Sequence, residues 1–215
     1  MKNVRLFYKK TGAARFVSHL DTMRFFTRLI RRAELPVWYT EGFNPHLYIT
    51  FALPLSLGMM SEYEIADIRL TDDCFPLEAI CKKLNAAGAE GYFFFKASEP
   101  KGKLSDVAFA EFMVEFDDNG ALANKLNLFL KSGEIIINKK TKKGDIKSLN
   151  IAEDIKEFFV SSSGNTRLQI TLPAGNNKNI NPDLIVKKFL TDIESDCFVK
   201  ITRMLLLDNE LKHIE

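Results

Sequence analysis

His19, His46 and Glu64 are the side chains of this sequence best suited to acid–base chemistry. An imidazole titrates near pH 6.5 and exchanges a proton at a reacting hydroxyl, while a carboxylate can take the same part. Two histidines sharing such work would give a bell-shaped pH–rate profile. Asp21 and Glu62 are further carboxylates, and spacing alone pairs none of them with a base. A second chemistry surrounds these groups. Arg24, Arg28, Arg31 and Arg32 follow one another at helical spacing, with Arg15 just ahead of them. Each guanidinium is a planar fork that matches phosphate oxygens.

The segment Glu41-Gly42-Phe43-Asn44-Pro45-His46 reads as a rigid turn. Gly42 can take a positive φ, Asn44 is held extended by Pro45, and His46 is delivered at the entrance of a strand. Tyr39 and Phe43 add flat surfaces of the kind that stack on unpaired bases. Lys139, Lys140, Lys142, Lys143 and Lys147 form a second basic patch in KKTKKGDIK. Each feature also has an ordinary explanation. Arginine runs form solvated helix faces, a histidine in a first turn packs against backbone, Gly and Pro shape connections, and lysines crowd hairpin tips. Cys74, Cys81 and Cys197 have no metal-ligand spacing and read as incidental or buried thiols. No GxGxxG, P-loop, HExxH or GxSxG pattern occurs, and neither a metal nor a cofactor is expected.

The elements that must position these residues follow from periodicity. Val4–Tyr8 alternates as a strand, which Phe16 and Val17 resume after a Thr11-Gly12 turn. Ser18 is a helix N-cap with Asp21 in the capping-box position, and the helix ends near Glu34, before Pro36. On it Met23, Phe26, Leu29, Ile30 and Ala33 share one face, and the four arginines share the other. His19 falls on the apolar side. Strands are expected at 37–39, 48–53, 62–70 and 91–97, with a second helix over 75–87. This β-α-β-β-α-β order is the ferredoxin-like unit. Residues 98–105 (SEPKGKLS) read as a linker. Strands at 110–116, 134–138, 167–172 and 198–207 and helices at 120–130 and 182–193 then repeat the order, and 151–160 fits either a helix or a strand. The expected architecture is α+β, with two tandem ferredoxin-like (βαββαβ) units of antiparallel sheet, at residues 1–98 and 105–215.

Composition bounds the rest. The chain has 215 residues, 46% hydrophobic and 27% charged, with 18 Phe and a single Trp, ample for packed cores. Its net charge of +2 is unevenly spread. The first 60 residues hold nine Lys and Arg against three Asp and Glu, and the remainder 21 against 25. The local excess of +6 points to an anionic partner at the N-terminal half. No run is long enough to span a membrane and no secretory leader is visible, so a cytoplasmic location is expected.

The residues Ser18-His19-Leu20-Asp21, Met23-Arg24, Arg31-Arg32-Ala33, Leu35-Pro36, Tyr39, Gly42-Phe43-Asn44-Pro45-His46, Phe51-Ala52, Pro54-Leu55, Leu57-Gly58, Ser61 and Glu64 resemble the signature of the radical-SAM-linked protein family, a domain of unknown function named DUF2344. The match is dense over residues 15–70 and thinner beyond. One departure is Leu47-Tyr48, where the family tends to carry Pro after the loop histidine. The resemblance implies a stand-alone bacterial protein or an extension of a radical S-adenosylmethionine protein, often encoded beside a ribonuclease of the E/G type. Such enzymes hold their cluster through a C-x-x-x-C-x-x-C triplet, which this chain lacks. The expected role is therefore a non-catalytic RNA-binding or substrate-presenting module for a separate radical-SAM enzyme, with tRNA or rRNA as ligand. The alternatives are a metal-independent endoribonuclease or RNA-modifying enzyme using His19 and His46, and a protein-interaction adaptor.

Overall fold

The computed structural model describes residues 1–88, 90–140 and 146–215. It is an α+β chain of four α-helices and ten strands among those residues, and the sheet is mostly antiparallel. Two compact units divide it, Met1–Val107 with Leu205–Glu215, and Ala108–Met204. The division drawn from sequence assigns 205–215 to the second unit; these residues belong to the first.

In unit 1 the elements are β1 (Lys2–Lys10), α1 (His19–Arg32), β2 (Ile49–Phe51), β3 (Met60–Leu70), α2 (Leu77–Ala86) and β4 (Tyr92–Ser98). β1 lies between β4 and β3. Ile68 of β3 faces Val4 of β1 on one side and Ile49 of β2 on the other, so β3 separates β1 from β2. Alternation sends Val4, Leu6 and Tyr8 to the helix side of the sheet, where they meet Phe26, Leu29 and Ile30 of α1 and Ile80 and Leu84 of α2. Burying a large apolar side chain of this kind stabilises the fold by about 1.5–3 kcal/mol.

α1 starts where its cap predicts. The Ser18 hydroxyl oxygen accepts from the Asp21 amide at 3.1 Å and its proton goes to the Asp21 carboxylate at 2.8 Å. A cap of this type contributes about 1 kcal/mol. The helix ends at Ala33, and Glu34 turns the chain out with a φ of 51°. Just before α1 the expected resumption of β1 at Phe16 and Val17 is replaced by a 3-10 turn, Gly12–Phe16. Gly91 explains that turn. Its carbonyl accepts from the Thr11 amide, its φ is 90°, and a Cβ there would lie 2.6 Å from the Ala14 side chain. Residues 12–16 therefore fold over Gly91 instead of continuing the sheet.

On the opposite sheet face of unit 1, Arg5 is fully buried. It grips Asp67 with two nitrogens at 2.8 Å each and donates to the carbonyls of Glu215 at 2.7 Å and Gly102 at 2.9 Å. The C-terminal residues are held to the unit by this fork and by the Tyr63 hydroxyl, which donates to the Ile214 carbonyl at 2.9 Å.

Unit 2 contains β5 (Phe109–Phe116), α3 (Ala123–Lys131), β6 (Ile136–Lys140), β7 (Ile146–Asn150), β8 (Glu157–Ser161), β9 (Thr166–Pro173), α4 (Pro182–Asp192) and residues 199–204 of β10 (Val199–Leu207). Its strands run in the order β10-β5-β9-β8, with β6 and β7 as a separate hairpin. Phe116 meets Phe189 of α4 edge-on, with ring centres 5.9 Å apart. The stretch 151–160, expected as one helix or one strand, is a 3-10 turn (Ala152–Asp154) followed by β8, and β7 just before it was not foreseen. Among the described residues no helix is long and apolar enough to cross a membrane.

Candidate nucleic-acid interface

Residues 38–48 form a small hairpin, closed by the Tyr39–Leu47 bridge, the Thr40 amide on the His46 carbonyl (2.8 Å) and the Tyr48 amide on the Trp38 carbonyl (3.2 Å). Gly42 at its tip has a φ of 121°, which only glycine takes without strain. His46 is fixed at the base of the tip. Its amide donates to Thr40 Oγ1 at 3.1 Å, and its Nδ1 lies 2.9 Å from that oxygen and 3.2 Å from the Asn44 carbonyl. Residues 41–46 are exposed, and Phe43 is fully so, at 105%. The tip is thus rigid at its neck and open to solvent.

The basic face of α1 meets this hairpin. Arg31 Nε donates to the Tyr39 hydroxyl at 3.0 Å, and its guanidinium lies 5.5 Å from the ring centre. Arg24, Arg28, Arg31 and Arg32 are all exposed. Asp21 answers part of the charge through a 3.1 Å contact to Arg24. Its carboxyl is held below the usual carboxylate range by hydrogen bonds from Ser18 and Arg24 and by the nearby charge of Arg28. Arg15 stands in the preceding 3-10 turn with its guanidinium 4.6 Å above the Phe16 ring.

A different set of groups gathers under the start of α1. Lys10 and Glu64 lie on neighbouring strands and are 3% and 4% exposed, unusual burial for charged side chains. Lys10 Nζ donates to the Val17 carbonyl at 2.7 Å. Both charges act on His19, whose ring stands edge-on to Phe51 with centres 5.4 Å apart. Burial lowers the His19 pKa from its ordinary value, Lys10 lowers it further, and Glu64 partly opposes them. Nearby, the Tyr92 hydroxyl lies 3.0 Å from Thr22 Oγ1, and burial with the Glu64 charge raises its pKa while the Thr22 bond opposes. Among the described residues, no three His, Cys, Asp or Glu side chains are grouped to hold a metal ion.

The family model for an uncharacterized protein conserved in bacteria, DUF2344, matches residues 3–182. The chain belongs to this family. No curated protein matches it. Among solved structures, a chain of a Cbf5-Nop10-Gar1 complex is similar at 10% identity over 94% of this chain, with a TM-score of 0.49, and this chain covers 48% of that one. An unknown protein from Galdieria sulphuraria is similar at 10% identity over 94% of this chain and 98% of its own, with a TM-score of 0.27. Likenesses at this level carry no inference about activity.

In this DUF2344 chain the candidate residues fall into two groups. Arg31, Tyr39, Asn44 and His46 are linked through the hairpin, with Phe43 at its tip and Arg24, Arg28 and Arg32 on the adjoining helix. His19 and Glu64 share the second group, and His46 has a separate set of partners. Lys140 ends β6, its backbone paired with Ile146, while Lys142 and Lys143 lie outside the described residues. Reading by residue type passed over Lys10, which only the pairing of β1 with β3 brings near Glu64, through Tyr8 opposite Glu64. It also passed over Trp38, Tyr48 and Arg69. The single Trp, one residue from Tyr39, was the available signal. Cys74, Cys81 and Cys197 are free thiols, and Cys74 is exposed.

Proposed function

We propose that this chain is a non-catalytic RNA-binding or substrate-presenting module that works with a separate radical-SAM enzyme. The observation that carries the RNA reading is the Arg31–Tyr39 hydrogen bond, which joins the arginine face of α1 to an exposed, rigid turn. Arg24, Arg28 and Arg31 hold phosphates, and Tyr39, Phe43, Asn44 and His46 meet a base or sugar of tRNA or rRNA. Arg15 and Arg32 extend the same positive surface. The enzyme partnership rests on resemblance to radical-SAM-linked proteins, and a cytoplasmic setting follows from such a role. Unit 1 runs strand–helix–strand–strand–helix–strand with its first strand inside the sheet, and unit 2 follows the same order once its separate β6–β7 hairpin is set aside, which supports reading them as ferredoxin-like modules.

Fluorescence anisotropy with labelled tRNA and rRNA fragments tests this directly. Wild type binds, and a triple variant Arg24→Ala, Arg28→Ala, Arg31→Ala loses most of the affinity. Equal affinity in the two proteins removes the assignment.

A second reading has its own observation, the buried Lys10 and Glu64 charges that act on His19. Under it the chain is an RNA-cleaving or RNA-modifying enzyme, with a neutral His19 as base. Labelled RNA incubated with wild type and His19→Ala separates the readings. Product formed by wild type and lost in the variant favours the enzyme, and no product from wild type rejects it.

A further inference from the structure

The hairpin that carries the exposed turn has a second face, which the proposal above leaves unused. Strand alternation sorts its side chains. Val37, Tyr39, Leu47 and Ile49 pack into the core of unit 1. Trp38, Thr40, His46 and Tyr48 therefore line the other side, and two cross-strand contacts bear this out, Trp38 with Tyr48 and Thr40 with His46. The Trp38 and Tyr48 rings are 5.6 Å apart and tilted by 56°. Arg69, from the neighbouring β3, brings its guanidinium to 5.1 Å from the Trp38 ring centre and 4.6 Å from that of Tyr48. Its Nε donates to Asn3 Oδ1 at 3.0 Å, so this cation rests on an amide and two ring faces.

From base to tip this outer face runs from Arg69 and its two rings, through the Thr40–His46 pair, to the fully exposed Phe43. The acidic residue within the hairpin is Glu41, at the tip, against a local excess of six positive charges in the first 60 residues. Ring faces with a positioned arginine suit a polyanion carrying flat, apolar groups. Nucleic acid has that chemistry, and a duplex hides the faces of its bases while a single strand offers them. An acidic peptide would meet the charge and leave the rings unused.

We propose that the outer face of the 38–48 hairpin is a stacking surface for an unpaired RNA segment, with bases on Trp38, Tyr48 and Phe43 and a phosphate at Arg69. This rests on the RNA-binding reading and narrows it to single-stranded ligand. It also assigns Trp38, Tyr48 and Arg69, which the arginine-face account does not use.

Trp38 is the one tryptophan of the chain, so emission excited at the red edge of its band, where the five tyrosines do not absorb, reports on this face. The full-length protein is titrated with a short oligouridylate, and Trp38 emission is read beside the anisotropy of a labelled copy of the oligonucleotide. The expected result is saturable quenching that tracks the anisotropy. A duplex of the same length leaves the emission unmoved. Phe43→Ala, a change at a fully exposed side chain that leaves the fold intact, weakens oligouridylate binding about tenfold, within the range for loss of one stacked base.

Rising anisotropy with unchanged emission overturns the inference and leaves the RNA reading standing, whereas no rise in anisotropy ends both. Equal quenching by the duplex, or by polyglutamate, also overturns it, the latter by making the face an acidic-peptide site. So does an unaltered affinity in Phe43→Ala.

Discussion

Arg31 Nε and the Tyr39 hydroxyl lie 3.0 Å apart, one on the basic face of α1 and the other on the inner side of the hairpin. The contact sits at the surface, where a cation beside a ring contributes about 0.5–1 kcal/mol. Its consequence is geometric, because it gives the helix and the exposed turn a common edge.

Tyr39→Phe removes that hydrogen bond and keeps the ring. The denaturation midpoint is expected to correspond to a loss of no more than about 1.5 kcal/mol, the low end for a hydrogen bond to a charged group, because Arg31 is exposed to solvent. A larger loss in equilibrium unfolding would mean that Tyr39 holds the hairpin itself together.

His19 offers a test of the buried charges around it. Burial comes first in lowering its pKa, Lys10 acts the same way, and Glu64 acts against them. By NMR titration its midpoint is expected below the ordinary 6.5. Lys10→Met moves it up and Glu64→Gln moves it further down. Because the folded value is the depressed one, His19 contributes stability above its unfolded pKa and loses that contribution as pH falls through the folded one. Shifts of the opposite sign in the two variants would show that these charges do not act on the imidazole.

Asp67→Ala leaves Arg5 buried without its carboxylate, since the guanidinium is 0% exposed and spends two of its four hydrogen bonds on Asp67. Breaking a buried pair in this way costs about 3–5 kcal/mol. Chemical denaturation measures it. A cost below about 1 kcal/mol would show that the two backbone carbonyls suffice.

Much of unit 1 can be read from its residues, and the reasons are local. Ser18, Asp21 and the spacing of Phe26, Leu29, Ile30 and Ala33 define α1 within a turn of the chain, and the observed cap and buried face agree with them. Gly42, Asn44 and Pro45 mark the turn for the same reason. The Lys10–Glu64–His19 group is not visible in this way, because it depends on β1 pairing with β3 across more than fifty positions. Phe16 and Val17 misled because their alternation matches a strand, while the deciding contact comes from Gly91, far along the chain. Leu205–Glu215 joins unit 1 through Arg5 and Tyr63, which no periodicity records.

In unit 2, Asp118 closes the entry to α3. Burial pushes its carboxyl up, but bonds from the Thr166 hydroxyl and from the amides of Thr166, Leu122 and Gly120 outweigh this and hold it below the usual carboxylate range. Its contribution to stability is present above the unfolded pKa, near 4, and is lost as pH falls through the lower folded value. The stability gap between wild type and Asp118→Asn is therefore expected to be constant from neutral pH down to about 5 and to shrink at lower pH. Thermal unfolding across that range measures it, and a gap that widens on acidification would reverse the sign assigned here.

The salt dependence of RNA affinity is the most direct test that the arginine face of α1 and the exposed turn form one polyanion surface. Each phosphate contact to a single strand adds about 0.7 to the slope of log affinity against log salt concentration. The Arg24, Arg28, Arg31 triple alanine variant is expected to show a slope shallower than wild type by about 2. Parallel lines for the two proteins would contradict the account.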